Sequence, residues 1–292
     1  LRDAAQENAL ALRAGDLHVA RVPGDALPEL RADPEIEVQF LKDTTWYFWS
    51  FNNRDPNPPF DDLRVREAVT YALDKAAYME FVAGQDGIVT NQMAIPGNFY
   101  FDEALHEADA HAEPDLERAR RILEEEGVDP SEITMEVVSW QSPYAEVAVQ
   151  MVKQLGFEVN HRALDDLGAQ NALGEYDWDL APMASGPRAD IFLRFVRFMS
   201  DGPNPVLWGG VQDTELDAMI NEAVTTVDAS ERREKYLEAW QHIMDNYYTV
   251  VVGHASNAFG VREEVGGFET GFTWSPNRVD GGLAFTYLRP GD

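Results

Sequence analysis

An arginine and two tryptophans lie where the sequence predicts strand ends and turns, and their chemistry suits binding. Arg188 follows a predicted strand, and its planar, permanently charged guanidinium suits a carboxylate or a phosphate. A surface ion pair with one of the many carboxylates is the alternative. Trp208 lies in a turn-rich stretch after Asn204, where an indole can stack on a ligand and neighbouring glycines admit a close backbone. Trp140 ends another predicted strand. These residues indicate recognition of a small molecule.

Motifs of catalysis are missing from the sequence. It contains no G-x-S-x-G, P-loop, H-E-x-x-H or G-x-G-x-x-G pattern, and the lack of cysteine excludes thiolate ligands and nucleophiles. His106 and His111 are five residues apart, a spacing without regular metal geometry, so we expect them on a solvated face. We predict no catalytic residues, no metal, no cofactor and no enzymatic activity.

The charge of the chain excludes one class of partner. With 52 acidic and 23 basic residues the formal net charge is −29, which repels nucleic-acid phosphates and anionic membranes. We predict no nucleic-acid partner. Only four of the basic residues are lysines, and the carboxylates are scattered along the chain. Because salt screens self-repulsion, this acidic surface suggests a halophilic source.

The length and composition indicate a globular protein. The 292 residues are 45% hydrophobic, which allows a large buried core in one or two lobes. No apolar run reaches the eighteen or so residues of a membrane span. The sequence begins at Leu1 in a helical pattern, without Met or a signal peptide, so we expect that an upstream portion has been removed.

Hydrophobic periodicity predicts an α/β fold in which helices and strands alternate. The pattern predicts a strand over 133–139, a helix over 142–156 and a strand over 157–161, which together form a strand–helix–strand unit. Elsewhere, helices are predicted over 63–81, 114–127, 213–227 and 230–245, and strands over 176–184, 247–252 and 257–261.

Trp46, Tyr47 and Trp49 place three large aromatic side chains within four residues. On a strand, Trp46 and Phe48 face one way whereas Tyr47 and Trp49 face the other. We favour core packing for this group, and a role in a cleft is the alternative.

Several segments match one family in order. Residues 59–75 read PFDDLRVREAVTYALDK, which is nearly the signature "PF.D.rVRqAl.yAiDr" of the family 5 extracellular solute-binding proteins, the peptide, dipeptide and nickel receptors of ABC importers. Further matches occur at 11–20, 48–52, 95–96, 115–127, 213–217, 232–236 and 265–268. The chain therefore resembles the C-terminal half of such a receptor.

This resemblance implies a fold and a setting. The fold is an α/β, periplasmic-binding-protein-like lobe (type II, cluster C), a mixed sheet with flanking helices, plus part of a second lobe. Residues 1–45 and 265–292 belong to the first lobe, and 46–264 form the second. A missing N-terminal half carries the export signal, a membrane tether and most of one cleft wall. The protein is then periplasmic or on the cell surface, and its partners are a solute or peptide and an ABC permease.

The resemblance also places a ligand-reading loop after the predicted strand at 176–184. Family members use an aspartate there, and only Asp190 in the loop 183–190 can take its place. Because Arg188 lies nearby, an anionic or neutral ligand is allowed alongside a peptide. The predicted ligand-binding residues are Trp140, Ser185, Arg188, Asp190, Asn204 and Trp208.

The favoured function is capture of a peptide or small solute for an importer. One alternative is a hydrolase that uses an Asp/Glu pair in an acidic cleft, and another is a peptide-holding interaction module. Stabilisation by a ligand without turnover discriminates the receptor from the enzyme, and indifference to peptide sequence identifies the module.

Overall fold

Helices and strands alternate along the chain. The computed structural model describes residues 2–186, 188, 190–203, 208–269 and 286–289. The helices are α1 (Arg2–Ala14), α2 (Leu27–Ala32), α3 (Leu63–Thr70), α4 (Lys75–Ala83), α5 (Glu103–Glu107), α6 (Leu116–Glu125), α7 (Pro143–Lys153), α8 (Asp166–Gly174), α9 (Phe192–Phe195), α10 (Thr214–Thr225) and α11 (Ala229–Asp245). The strands are β1 (Val19–Val22), β2 (Ile36–Phe51), β3 (Gly87–Val89), β4 (Thr134–Trp140), β5 (Glu158–Leu164), β6 (Leu180–Ser185), β7 (Thr249–Arg262), β8 (Val265–Gly266) and β9 (Tyr287–Leu288). None of the helices in the described ranges is both long enough and apolar enough to cross a bilayer.

A mixed sheet organises the described residues in the order β1-β7-β2-β6-β4-β5, with β3 also paired to β7. Its longest ladder joins β2 and β7, which run antiparallel from the pair Ile36 and Arg262 to the pair Ser50 and Thr249. The register shifts within this ladder after Phe40 and again after Tyr47. These two strands are the spine of the fold.

The predicted strand–helix–strand unit is confirmed. β4 and β5 are parallel from the pair Thr134 and Glu158 to the pair Trp140 and Leu164, and α7 connects them. Pro143 occupies the first turn of α7, where its missing N–H costs nothing. The α/β class with a mixed sheet and flanking helices is therefore confirmed.

Aromatic residues of β2 divide between two cores, as their alternation predicts. Trp46 and Phe48 pack with the helices α9 to α11 on one face of the sheet. Trp49 packs with α3, α4, α6 and α7 on the other face, and Tyr47 lies at the margin of that core. Both Trp46 and Trp49 are fully buried, so the prediction of core packing is confirmed for them.

A separate core holds the N-terminal segment, residues 7–36, against the far end of β7. Leu12, Leu30 and Ile36 are buried there with Ala258. Because β2 and β7 continue from this core into the two larger ones, the backbone ladder connects all three.

The single helix predicted over 63–81 is wrong. Two helices, α3 and α4, cover this stretch, and the chain turns between them at residues 71–74. Asp62 accepts a hydrogen bond from the Arg64 N–H at the start of α3, and Asp74 accepts one from the Ala77 N–H at the start of α4. Each carboxylate therefore caps its own helix. The cap at Asp74 marks the start of a second helix inside what is one apolar pattern in the sequence.

The two strands predicted over 247–252 and 257–261 are one strand, β7. The intervening residues Gly253 and Ala255 pair with Val89 and Gly87 of β3. A Cβ on Gly253 would lie 2.4 Å from the carbonyl oxygen of Ile88, so only glycine fits. The small residues between the two predicted strands admit the close approach of β3.

Arg66 holds the loop that connects β2 to α3. It is buried, and its Nε donates to the Phe60 carbonyl oxygen at 2.7 Å. Its Nη1 donates to Asn53 Oδ1 at 2.7 Å, and its Nη2 donates to the Asn52 carbonyl oxygen at 3.3 Å. The 59–75 signature thus stabilises the scaffold, and Arg66 does so through neutral acceptors.

Asp179 is a buried carboxyl at the start of β6. Its Oδ1 accepts from Asn57 Nδ2 at 3.0 Å, and its Oδ2 accepts from the Glu136 N–H at 2.7 Å. Burial raises the pKa of Asp179 to about 6, and these two hydrogen bonds oppose the rise only in part. The side chain joins β4 and β6 to the loop after β2.

We expect Arg66→Met to destabilise the protein by about 3 kcal/mol, because three buried acceptors lose their donors at once. Urea unfolding followed by circular dichroism measures the loss. Arg64→Met is the matched control, since Arg64 lies in the same signature but its ion pair with Glu67 is at the surface. Equal unfolding midpoints for the two variants would contradict a scaffold role for Arg66.

The raised pKa of Asp179 predicts a pH dependence of stability. An ordinary Asp titrates near 3.9, so the folded state favours the protonated carboxyl, and this contribution is complete below about pH 4 and lost as the pH rises through about 6. Relative to Asp179→Asn, the wild-type free energy of unfolding should fall by on the order of 2 kcal/mol from pH 4 to pH 7. Asp177→Asn, at an exposed neighbour, is the control. A difference that stays constant with pH would disprove the assignment.

Candidate functional site

A cleft of about 780 Å³ lies between the N-terminal segment and the larger part of the chain. One wall consists of the end of β1, the 3₁₀ turn Gly24–Ala26 and the start of α2. The other wall consists of the end of α4, residues 80–86, and the first residues of α7. Residues 255–258 of β7 and Tyr47 of β2 form the floor. This volume suits a small solute.

Local sequence explains the shape of the cleft. Gly84 ends α4 with a positive φ of 59°, a conformation that glycine adopts without strain. The two walls meet at Gly24, where an added Cβ would lie 3.4 Å from the Ala83 carbonyl oxygen. Arg31 and Asp86 form an ion pair of 2.9 Å from wall to wall. The cleft is therefore closed at this end.

Aromatic and polar side chains face each other at the floor. The Tyr47 and Tyr144 rings meet edge to face, with 5.4 Å between their centroids. Burial raises the pKa of Tyr47 to about 12 and also raises the pKa of Tyr144, so both hydroxyls stay protonated near neutral pH. Arg21 donates a hydrogen bond to Asn257 beside them. Such a floor can offer hydrogen bonds and an apolar surface to a ligand.

Phe81 adds an exposed apolar surface to one wall. Its side chain lines the cleft, and 47% of the residue's surface is exposed. A second cavity, beside Tyr100 and Tyr236, measures about 20 Å³ and has room for about one water molecule.

The structure places three of the predicted ligand-binding residues near one another. Ser185 ends β6 opposite Trp46, and the Trp46 ring stacks on Trp208 with 5.5 Å between centroids. Arg197 lies over the Trp208 ring, 5.1 Å from its centroid, and burial together with the nearby charge of Arg188 lowers the pKa of Arg197. Trp208 itself is buried against Phe48 at 4.9 Å, so its indole belongs to the core.

The remaining predicted residues are more separate. Asp190 is exposed, and its Oδ1 accepts from the Phe192 N–H at 2.8 Å at the start of α9. Trp140 is half-buried at the end of β4. Asn204 lies outside the described residues. A ligand-binding role for all six residues stays a prediction.

One cluster has the chemistry of a nucleophile relay but is sealed. Ser139 Oγ lies 2.8 Å from His161 Nε2, and His161 Nδ1 lies 3.4 Å from Glu146 Oε1. Ser139 is fully buried, and its hydroxyl donates to the Trp140 carbonyl oxygen at 2.9 Å. With that single proton already donated, His161 Nε2 must donate to Ser139, which is the wrong tautomer for a general base. No substrate reaches this hydroxyl.

The expectation that His106 and His111 lie on a solvated face is wrong. His111 is half-buried, 4.1 Å from the Tyr71 ring centroid, and its Nε2 bonds to Tyr247 Oη at 2.8 Å. Burial lowers the pKa of His111 to about 4. The buried ion pair between Lys75 and Asp109, 2.5 Å long, joins the loop to the start of α4. Within the described residues no group of three His, Asp or Glu side chains is placed to hold a metal ion.

Sequence reasoning missed Arg21 and Asn257, and it assigned Tyr47 chiefly to the core. A signal exists for Arg21: it lies between the buried Ala20 and Val22 on a strand, so it must face away from the core. No local signal connects it to Asn257, 236 residues away.

Comparisons with known proteins agree with this architecture. The family model of the bacterial extracellular solute-binding proteins, family 5 Middle, matches residues 3–200. The di/tripeptide-binding protein 1 of Pseudomonas aeruginosa (strain UCBPP-PA14) is 25% identical over 283 residues, covering 90% of this chain and 50% of that protein. The heme-binding protein A of Haemophilus influenzae is 24% identical over 260 residues, with coverages of 84% and 46%. The chain spans about half the length of the curated relatives that it matches.

A solved structure supports the fold. The periplasmic binding protein DppA of Helicobacter pylori, in complex with the peptide STSA, superposes with a TM-score of 0.81 at 17% identity, covering 98% of this chain and 55% of that one. The match of the family model across two thirds of the sequence decides the classification: the chain belongs to the bacterial extracellular solute-binding proteins, family 5.

Proposed function

We propose that the chain is part of the substrate-binding component of an ABC importer and captures a peptide or another small solute in the cleft. The cleft itself carries the proposal: about 780 Å³ of space enclosed by two walls from different parts of the chain. Membership of family 5 and the names of the peptide-binding relatives support it.

Two lobes joined by a hinge suit this role. We assign residues 1–45 and 265–292 to the first lobe and 46–264 to the second. The separate core around Leu12 and Leu30 supports the assignment, because in the described part of the chain it is β2 and β7 that continue from this core into the larger ones. The register shift after Phe40 lies near the proposed boundary and gives the ladder an irregular point at which to bend.

Capture then works through differential affinity. A solute that contacts both walls stabilises the closed arrangement of the lobes over the open one, and a permease can recognise the closed form. We further propose an exported, membrane-tethered protein whose remaining N-terminal half completes the cleft. Ser185 ends β6, and Arg188 and Asp190 follow it. Because Ala184 of β6 pairs with Tyr47 on the cleft floor, we retain this segment as a ligand-reading loop.

Peptides are the first ligand class to test, and Phe81 is the residue that tests the cleft. We expect Phe81→Ala to weaken binding by about tenfold, because the ligand loses an apolar contact of about 1–2 kcal/mol. Phe99→Ala is the matched control, since Phe99 is also exposed but does not line the cleft. Binding is measured as the rise in melting temperature with a panel of di- and tripeptides.

Peptide recovery in the same samples separates a receptor from an enzyme. Because the chain spans half of its relatives, we expect dissociation constants weaker than about 1 μM, so the peptides are added at millimolar concentrations. Mass spectrometry should recover every peptide intact. Hydrolysis products, or equal losses of stabilisation in both phenylalanine variants, would overturn the proposal.

A halophilic setting predicts a salt response. We propose that the acidic surface is adapted to high salt, so the melting temperature should rise between 0.1 M and 2 M NaCl as self-repulsion is screened. Choline chloride at equal ionic strength is the control for a specific effect of sodium. A melting temperature independent of salt would remove the halophilic interpretation.

A further inference from the structure

Arg21 is an exposed cation in an acidic protein, and Asn257, the side chain that the structure places in hydrogen-bond contact with it, is neutral. Ala20 and Val22, on either side of Arg21 in β1, are buried in the N-terminal core. Because side chains alternate along a strand, the Arg21 side chain projects away from that core. Arg21 lines the cleft and is exposed as a residue. Its charge is therefore presented to whatever occupies the cleft.

Asn257 fixes the orientation of this guanidinium. Asn257 Nδ2 donates to Thr45 Oγ1 at 2.9 Å, so its Oδ1 is the atom that accepts from Arg21 Nη2. Asn257 is itself buried, which limits its freedom to rotate. One of the five N–H groups of Arg21 is used in this contact, and the guanidinium keeps others for a ligand.

The Arg21 side chain is not needed to hold β1 in place. β1 is already joined to β7 by backbone pairing at all four of its residues, from Val19 with Val261 to Val22 with Ala258. Desolvation by the surrounding protein lowers the pKa of Arg21, and the interaction with Tyr47 opposes this only in part. By contrast Arg31, on the same wall, is paired with Asp86 at 2.9 Å.

Tyr47 completes the group. Its hydroxyl stays protonated near neutral pH, and Tyr47 lines the same cleft as Arg21, close enough to influence the pKa of Arg21. The planar guanidinium of Arg21 and the phenolic O–H of Tyr47 are both hydrogen-bond donors, and together they suit the two oxygens of a carboxylate.

We propose that Arg21, oriented by Asn257 and assisted by Tyr47, binds the carboxylate of the captured solute. This inference rests on the proposed function of the cleft and adds a chemical class to it: the ligand carries a free carboxylate, as an unmodified peptide does at its C-terminus. Arg21 then supplies a charged contact from the first lobe.

The test uses the dipeptide Ala-Leu and its C-terminal amide as probes, which differ only in the carboxylate. Titration of the ¹⁵N-labelled chain to about 50 mM probe follows the Arg21 Nε–Hε and Asn257 Nδ2 resonances, so even weak binding is seen at the site. We expect Ala-Leu to shift both resonances, and the amide to bind at least tenfold more weakly. Absence of any shift with Ala-Leu overturns the assignment.

Variants separate the role of the fork from that of net charge. Arg21→Gln should lower Ala-Leu affinity at least tenfold, read from the Asn257 resonance, and Arg21→Lys should retain part of it, because it keeps the charge without the planar fork. Arg13→Gln removes a cation from α1, outside the cleft, and should leave affinity unchanged. Circular dichroism of each variant checks that it folds.

The two proposals fail in different ways. If Ala-Leu and its amide bind equally and Phe81→Ala weakens both, the cleft captures solutes but Arg21 does not read a carboxylate. If peptides stabilise the chain equally in Phe81→Ala and Phe99→Ala, the cleft is not the binding site and the proposed function fails with the inference.

Discussion

The antiparallel ladder between β2 and β7 is the constraint on which the rest of the structure depends. Backbone N–H and C=O groups in a protein interior must be paired, so two strands that run through three cores stay hydrogen-bonded to each other along most of their length, with register shifts after Phe40 and Tyr47. This ladder joins the N-terminal core to the two larger cores and forms the floor of the cleft. The walls of the cleft are attached to this ladder and can vary in sequence. The floor is the ladder itself, so it must keep its backbone hydrogen bonds.

Side-chain alternation on β2 gives each face of the ladder a separate task. Trp46 and Phe48 enter the core under α9 to α11, where they stack with Trp208. Tyr47 points the opposite way, into the cleft, and a one-residue slip would exchange these environments. Burial on one face therefore fixes the position of the hydroxyl on the other. A rigid floor of this kind holds polar groups in place before a ligand arrives, which lowers the ordering cost of binding.

Periodicity predicted the fold class because it reports which face of an element is buried. It failed where two elements share one pattern: the apolar spacing from 63 to 81 continues across the turn at 71–74, and only the cap by Asp74 separates α3 from α4. It also failed at Gly253, where small residues mark the close approach of β3. The candidate site was harder, because Arg21, Tyr47 and Asn257 come from three distant segments. Single-residue cues such as a loop arginine made Arg188 a candidate, but such cues carry no information on which segments meet.

An acidic protein that recognises a carboxylate presents an electrostatic problem. A net charge of −29 repels an anionic solute at a distance, and this repulsion slows encounter at low ionic strength. Salt alters the balance, since the screening length falls from about 10 Å at 0.1 M to about 3 Å at 1 M. Hydrogen-bonded contact between a guanidinium and a carboxylate occurs within that shorter distance, so it survives screening that removes the long-range field. In a salt-rich setting the acidic surface that keeps the protein soluble would therefore not prevent an anion from binding at Arg21. Asn257 and Tyr47, the neighbours of Arg21 in the cleft, are neutral and add no repulsion there.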